Sequence, residues 1–277
     1  MKKERRKMKK LIIALLVVLT LVGCGTSRPT DENKLVVSCT LDPHSRVLEF
    51  VKPILKEKYG IELEIIVLDD YYIFNKALDA GEVDANYFQH VPFFKSEVAA
   101  NGYDIENALG VHIEPFGFYS TTIKDIKDLP DGAEIVISNA VADHGRLLKI
   151  LENNGVLTLK AGVDTLEATL ADIAANPKNL VFKEIKPELL ISAYESKEGD
   201  LVAINGNYAL QGGLSPAKDA VILETGGADN PYVNIIAIKT GTGDKAKIKA
   251  LLEVMASQEV KDFIKSTWSD GSVIAAE

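Results

Sequence analysis

Residues 81–94 read GEVDANYFQHVPFF, and this stretch decides how the chain is interpreted. Its pattern predicts a strand over residues 83–88 followed by a helix over residues 91–100. In a chain with only 7% aromatic residues, it concentrates aromatic rings beside Asp84, Asn86 and Gln89. Such a mixture is typical of a pocket wall, and an ordinary core strand and helix would show the same residues. The stretch alone leaves both interpretations open.

The rhythm of a strand followed by a helix extends to both sides of this stretch. We predict further strands at residues 35–40, 61–68, 134–138, 181–185, 201–205, 220–224 and 234–239, and helices at residues 43–59, 75–80, 143–153, 165–175 and 187–196, with a long amphipathic stretch over residues 244–268. Residues 111–120 are extended but contain Pro115 and Gly117, which suit a crossing between lobes better than a central strand. The pattern therefore predicts an α/β protein with two lobes, each a mixed, mostly parallel sheet flanked by helices.

The N-terminal residues predict a lipoprotein signal peptide over residues 1–23. Residues 1–10 carry seven Lys or Arg and one Glu, and the apolar run that follows is shorter than the ~20 residues of a spanning helix. The run ends in Leu21-Val22-Gly23-Cys24, which resembles a lipobox. We expect acyl chains such as palmitate on Cys24, a tether over residues 24–34, and a chain anchored to the membrane outside the cytoplasm. The alternative is an uncleaved anchor helix.

The composition of the mature chain excludes several function classes. Without the signal peptide, which holds seven basic residues and one acidic residue, 24 basic and 39 acidic residues remain, a net charge of about −15. This excess of acid argues against a nucleic-acid partner. No GxSxG, HExxH or P-loop motif is present, and Cys39 is the only other cysteine, so we expect no enzyme and no cofactor. The four histidines leave a metal-binding lipoprotein as an alternative, although no metal site is predicted.

Polar and aromatic residues follow the predicted strand ends, where ligands bind in open α/β sheets. This agreement favours the pocket interpretation of residues 81–94. In residues 139–146 a strand end is followed by a helix start that carries Arg146, an arrangement that suits a carboxylate. Asn139, Asn205 and Asn234 can accept from an ammonium group, although turn or cap roles remain open for them. Together these groups describe a free α-amino acid with an apolar side chain.

Five collinear motifs then resemble a known family. They are residues 84–92 (DANYFQHVP), 114–120 (EPFGFYS), 176–180 (NPKNL), 213–219 (GLSPAKD) and 231–234 (PYVN). In this order they are similar to signatures of the NlpA lipoprotein family, the methionine-binding components of methionine ABC importers. The resemblance extends over about residues 35–273.

The resemblance implies a two-lobed periplasmic-binding-protein fold of type II-like architecture, with L-methionine in the cleft between lobes. We expect the first lobe to comprise residues 35–113 and 220–277 and the second to comprise residues 114–219. The implied ligand-binding residues are Tyr71, Phe88, His90, Tyr119, Asn139, Arg146, Asn205 and Asn234. Arg146 would take the carboxylate. The implied protein partners are a membrane permease and its cytoplasmic ATPase, and the binding protein itself would be a monomer.

This chain departs from the family beside the implied carboxylate site. Residues 140–142 are Ala-Val-Ala where relatives often carry a polar loop, and Ser138 stands where relatives often carry proline. A methionine-containing dipeptide or another form of methionine is therefore an alternative ligand. A metal-binding or adhesive surface lipoprotein is the alternative from another class.

Overall fold

The computed structural model describes residues 31–225 and 230–277. The predicted signal peptide, the lipidation site Cys24 and residues 24–30 of the tether lie outside the described residues. Within the described residues, no helix combines the length and apolar character that crossing a membrane requires.

The secondary structure follows the predicted alternation closely. Within the described residues the strands are β1 (Lys34–Cys39), β2 (Glu62–Val67), β3 (Ala85–His90), β4 (Ile105–Ile113), β5 (Gly117–Tyr119), β6 (Glu134–Ser138), β7 (Thr158–Leu159), β8 (Ile173–Ala175), β9 (Val181–Ile185), β10 (Leu201–Ile204), β11 (Ile222–Leu223), β12 (Val233–Lys239) and β13 (Ile274–Ala275). The helices are α1 (Arg46–Tyr59), α2 (Tyr71–Asp79), α3 (Val91–Asn101), α4 (Val141–Asn153), α5 (Leu190–Glu195), α6 (Gly206–Gln211), α7 (Pro216–Asp219), α8 (Ala246–Met255) and α9 (Gln258–Thr267). Short helical turns lie at Leu41–Ser45, Ile126–Asp128, Leu170–Asp172 and Pro187–Leu189.

Two sheets define the two lobes. The first lobe has the strand order β13-β4-β12-β3-β1-β2, and the second has the order β11-β5-β10-β6-β9. Of the nine strand pairings in these sheets, four are parallel and five antiparallel, so the sheets are mixed but not mostly parallel. Four of the five antiparallel pairings involve β5 or β12, the first strand that the chain forms after each crossing.

Helix α1 shows why the sequence folds as it does in the first lobe. Val47, Leu48, Val51 and Leu55 recur at helical spacing and are completely buried against the sheet. The helix ends at Gly60, whose φ of 68° is the left-handed conformation that glycine adopts at little cost. The predicted helix here is confirmed, although its regular part begins at Arg46 after a separate turn.

The opening stretch forms the predicted strand and helix, with the junction at His90. The side chain of His90 caps α3 by accepting a hydrogen bond from the backbone N–H of Phe93 at 3.2 Å. Pro92 occupies the first turn, where the missing N–H has no intrahelical partner to lose. All six residues of β3 are buried, so this strand lies at the core of the first lobe.

The predicted helix over residues 165–175 is wrong. These residues form turns, the short turn at Leu170–Asp172 and strand β8, which pairs with β7. Asp172 accepts hydrogen bonds from the backbone N–H and the hydroxyl of Thr169, both at 3.0 Å, and such local caps compete with a continuous helix. Ala168 alone is buried in residues 165–169, so a helix would have no apolar face to pack.

The chain returns to the first lobe at a different residue than the predicted division into lobes assumed. Strand β11 pairs with β5 in the second sheet, whereas the division assigned residues 220–277 to the first lobe. The chain therefore returns to the first lobe after Leu223. Glu224 and Tyr232, on either side of residues 226–229, lie on this return crossing.

Because Gly145 has no side chain, residues 165–168 can pack directly on α4. A Cβ at Gly145 would overlap the carbonyl oxygen of Thr165. Alanine for glycine inside a helix normally stabilises by about 1 kcal/mol, but here we expect Gly145→Ala to lower the free energy of unfolding by about 1–3 kcal/mol. Urea unfolding of the mature protein measures the change. The control is Gly243→Ala, whose Cβ would meet only Ile238 at 3.6 Å. A stabilised Gly145→Ala variant would contradict this close packing.

Candidate functional site

A cleft between the two lobes collects most of the predicted ligand-binding residues. Its walls come from the ends of β3 and β10, the start of β12, and the helices that follow. The predicted residues that line it are Tyr71, Phe88, His90, Arg146, Asn205 and Asn234. The position of the cleft agrees with the rule that ligands bind beyond the carboxyl ends of strands.

Tyr119 and Asn139 are not among the residues that line this cleft. Tyr119 is completely buried on β5, where its ring packs edge-on against Tyr194 at 6.3 Å between centroids. Asn139 is exposed, because the loop after β6 is turned by Ser138, whose hydroxyl accepts from the N–H of Ala140 at 2.9 Å. A position at a strand end was therefore too weak a signal to place either side chain.

The cleft also contains residues that were not predicted as ligand-binding. They are Gln89, Phe93, Glu114, Asp143, Gly206 and Asn207. A signal for Asp143 was present in the sequence, because its spacing of three residues from Arg146 places both on one face of α4. Both side chains are buried, with exposed fractions of 1% and 5%. Glu114 had no comparable signal beyond its place in the crossing.

One side of the cleft is an aromatic wall. The ring centroids of Tyr71, Phe88 and Phe93 lie 5.7–5.9 Å from one another, so the three rings converge on one region. Phe74 stacks on Phe88 from behind at 4.0 Å and fixes its plane. The hydroxyl of Tyr71 donates to Asn207 Oδ1 at 2.5 Å, which ties this wall to the second lobe.

Asp143 forms an acceptor-rich end of the cleft. Its Oδ1 lies 2.8 Å from His90 Nε2, and its Oδ2 accepts from Asn205 Nδ2 at 2.9 Å. Because His90 Nδ1 already accepts from Phe93, His90 Nε2 carries the hydrogen and donates to Asp143. Burial alone would raise the pKa of Asp143, but His90 and Asn205 together hold this pKa below its usual value. Asn205 Oδ1 is buried and has no hydrogen-bond partner among the described residues.

Arg146 forms the cationic part of the cleft, but one edge of its guanidinium is already occupied. Nε and Nη2 donate to the carboxylate of Glu224 at 2.9 and 2.5 Å, and Nη2 also donates to the carbonyl oxygen of Glu114 at 2.6 Å. The guanidinium carbon lies 4.3 Å from the ring centroid of Tyr232. The sequence predicted that Arg146 takes the ligand carboxylate. The structure gives one edge of the guanidinium to Glu224, and Nη1, which makes no hydrogen bond among the described residues, is left for a ligand.

Asn234 is backed by a buried hydrogen-bonded network. Its Oδ1 lies 3.1 Å from His44 Nε2, and His44 Nδ1 lies 2.6 Å from the hydroxyl of Thr40. The sequence predicted that this Asn234 oxygen accepts from a ligand ammonium. With the oxygen facing His44, the amide nitrogen is the atom of Asn234 left for a ligand, because within the described residues it makes no hydrogen bond.

A parallel arrangement holds Glu114 beside His44. The hydroxyl of Tyr87 lies 2.5 Å from His112 Nδ1, and His112 Nε2 lies 2.8 Å from Glu114 Oε1. Donor atoms of His44, His112 and Glu114 lie within 4.8 Å of one another, close enough for a metal ion. Because each histidine nitrogen here already has a hydrogen-bonding partner, we interpret the cluster as a hydrogen-bonded network.

Comparisons with known proteins agree with this architecture. The sequence model of the NlpA lipoprotein family matches residues 35–277. The methionine-binding lipoprotein MetQ of Bacillus subtilis is 51% identical over 273 residues, covering 96% of this chain and 98% of that protein.

Two solved structures show the same fold at similar coverage. A nutrient-binding protein from Burkholderia cenocepacia, solved bound to methionine, has a TM-score of 0.82 at 39% identity, covering 88% of this chain and 100% of its own. An ABC transporter periplasmic substrate-binding protein from Coxiella burnetii has a TM-score of 0.80 at 33% identity, covering 87% and 100%.

The buried histidines predict an acid-sensitive fold. Burial lowers the pKa of His44 to about 4 and that of His112 to about 3, from an ordinary value of 6.5. The unfolded chain therefore binds protons first as the pH falls, so stability should be full above pH 6.5 and decline toward pH 4. His112→Gln should reduce this slope between pH 6 and 5 by about 1 kcal/mol per pH unit. Urea unfolding at pH 5, 6 and 7 measures it, and an unchanged slope would contradict the assignment.

Proposed function

Since the chain belongs to the NlpA lipoprotein family, we propose that it is the substrate-binding lipoprotein of an ABC importer for L-methionine. It captures the free amino acid between its lobes and delivers it to a membrane permease driven by a cytoplasmic ATPase. The protein acts as a binding protein without catalysis, in line with the binding roles stated in the names of its relatives. We propose that it does so as a monomer.

The observation that carries this proposal is the opposite polarity of the two groups of polar atoms in the cleft. The ionised carboxylate of Asp143 and the unpaired Asn205 Oδ1 suit an ammonium group. Arg146 Nη1 and the amide nitrogens of Asn207 and Asn234 suit a carboxylate. A zwitterionic α-amino acid satisfies both groups at once, whereas a simple anion or cation would satisfy only one.

The aromatic wall sets the preference for the side chain. Tyr71, Phe88 and Phe93 offer ring edges and faces to a flexible apolar side chain. Sulfur against aromatic rings gains ~0.3–1.5 kcal/mol per contact, which favours methionine over an aliphatic chain of the same shape.

The enclosure of the ammonium-binding end favours a free amino acid over a dipeptide. Asp143, Asn205 and His90 are 1%, 6% and 8% exposed, so an N-terminal extension of the ligand would have to displace buried groups. Each buried polar atom without a partner lowers the stability of the fold until a ligand pairs with it. A surface adhesin without a ligand would carry this cost with no gain in binding.

We propose that Cys24 carries the lipid that anchors the protein to the outer side of the cell membrane. This rests on the lipobox, and the relatives are named as lipoproteins. Replacing Cys24 with Ser should abolish incorporation of radioactive palmitate and move the protein from the membrane fraction to the soluble fraction. Full retention in the membrane without label would point instead to an uncleaved anchor helix.

Calorimetry on the mature, ligand-stripped protein tests the function. We expect one-to-one binding of L-methionine, with weaker binding of norleucine, which has the same shape without sulfur, and of leucine. Glycyl-methionine and D-methionine complete the series. Binding of the dipeptide alone would keep the importer role but overturn the ligand, and stabilisation by zinc alone would favour the metal-binding alternative.

A matched pair of asparagines tests the position of the ligand. Asn205 and Asn139 both follow strand ends, but only Asn205 lines the cleft. Asn205→Ala should weaken L-methionine binding by about 1.5–3 kcal/mol, because an acceptor for the ammonium group is lost. Asn139→Ala should leave the Kd within about twofold of the unaltered protein, since Asn139 is exposed outside the cleft. Equal effects of the two variants would contradict this site.

A further inference from the structure

We propose that His44 is a positioning residue that fixes the side-chain amide of Asn234 with its NH2 group toward the cleft, so that Asn234 selects an anionic carboxylate. This inference rests on the proposed function and deepens it. His44 itself is completely buried, and the residues that line the cleft do not include it, so it would act only through Asn234.

The surroundings of His44 determine its tautomer. Two oxygens face its Nε2, Asn234 Oδ1 at 3.1 Å and Glu114 Oε1 at 3.5 Å. Whichever way the Asn234 amide is turned, a lone pair on Nε2 would be repelled by the Glu114 carboxylate, so Nε2 carries the hydrogen. The other ring nitrogen, Nδ1, then accepts from the hydroxyl of Thr40 at 2.6 Å. The His44 ring therefore presents one donor to Asn234.

The ring of His44 is also held in place. It makes edge-on contacts with Tyr87 at 4.5 Å and with His112 at 4.9 Å between centroids. Tyr87 and His112 are completely buried and hydrogen-bonded to each other, and His112 is hydrogen-bonded to Glu114. The N–H donor of His44 therefore points in a fixed direction, because the ring packs against Tyr87 and His112, which are themselves held by hydrogen bonds.

This donor dictates the orientation of the Asn234 amide. With Oδ1 toward His44, the amide places two N–H donors on the ligand side, which suit a carboxylate. Rotation of the amide by half a turn would set its NH2 against the N–H of His44 and present a carbonyl oxygen to the ligand. Such a flipped amide would repel a carboxylate and accept from a carboxamide.

The test compares two ligands that differ at this one group, L-methionine and L-methioninamide. His44→Met removes the donor at similar volume, and His44→Gln keeps an amide donor as the conservative rescue. We expect the preference for L-methionine, taken as the ratio of the two Kd values, to fall about tenfold in His44→Met and to stay within about threefold in His44→Gln. Calorimetry on the mature lipoprotein in detergent gives both constants.

Thr40→Val provides a second variant that does not alter the histidine. It removes the hydroxyl that is hydrogen-bonded to His44 Nδ1 and helps to hold the ring in place, and it should shift the ratio in the same direction by a smaller factor. Equal weakening of both ligands in His44→Met, or an unchanged ratio in all three variants, would overturn the inference while leaving methionine binding intact. Failure of the unaltered protein to bind L-methionine would instead overturn the proposed function, and the inference with it.

Discussion

The hydrogen bond between His90 and Asp143 joins the two lobes inside the cleft, and much of the candidate site depends on it. His90 lies at the end of β3 in the first lobe, and Asp143 lies in the first turn of α4 in the second. Both side chains are buried, so opening the lobes at this point would break this hydrogen bond and expose both groups to water. The cap that His90 provides to α3 sets the tautomer that makes this bond possible.

The cleft holds polar side-chain atoms that the contacts between the lobes leave unpaired. Asn205 Oδ1 and Asn207 Nδ2 are buried without hydrogen-bond partners among the described residues. Contacts across the lobes, such as that from the Tyr208 hydroxyl to the Asp69 carbonyl oxygen at 2.6 Å, favour closure. The unpaired atoms oppose it, and a zwitterion that pairs them would shift the balance toward the closed form.

The sequence predicted what depends on local pattern and missed what depends on distant contacts. The junction at His90, the burial pattern of α1 and the presence of six of the eight candidate ligand residues in the cleft followed from periodicity and family resemblance. The pairing of Arg146 with Glu224 joins residues 78 positions apart, and no local pattern announces it. For residues 165–175 the sequence predicted a helix that does not form. A helical pattern without a surface to pack against is not stable, and local capping hydrogen bonds form instead.

The position of Asn234 depends on an irregularity that no sequence pattern reveals. Asn234 pairs with His90 on β3 and with His112 on β4, so three polar side chains form one row across the end of the first sheet. The register of β12 shifts immediately after Asn234 against β4 and one residue later against β3. Such bulges re-aim side chains where they occur. Without the register shift, a different residue of β4 would lie opposite Asn234. Because side chains alternate between the two faces of a sheet, a shift of one residue also changes which side chains share a face. The bulges thus allow β12 to pack in the core along most of its length, while Asn234, near its start, lies in the cleft.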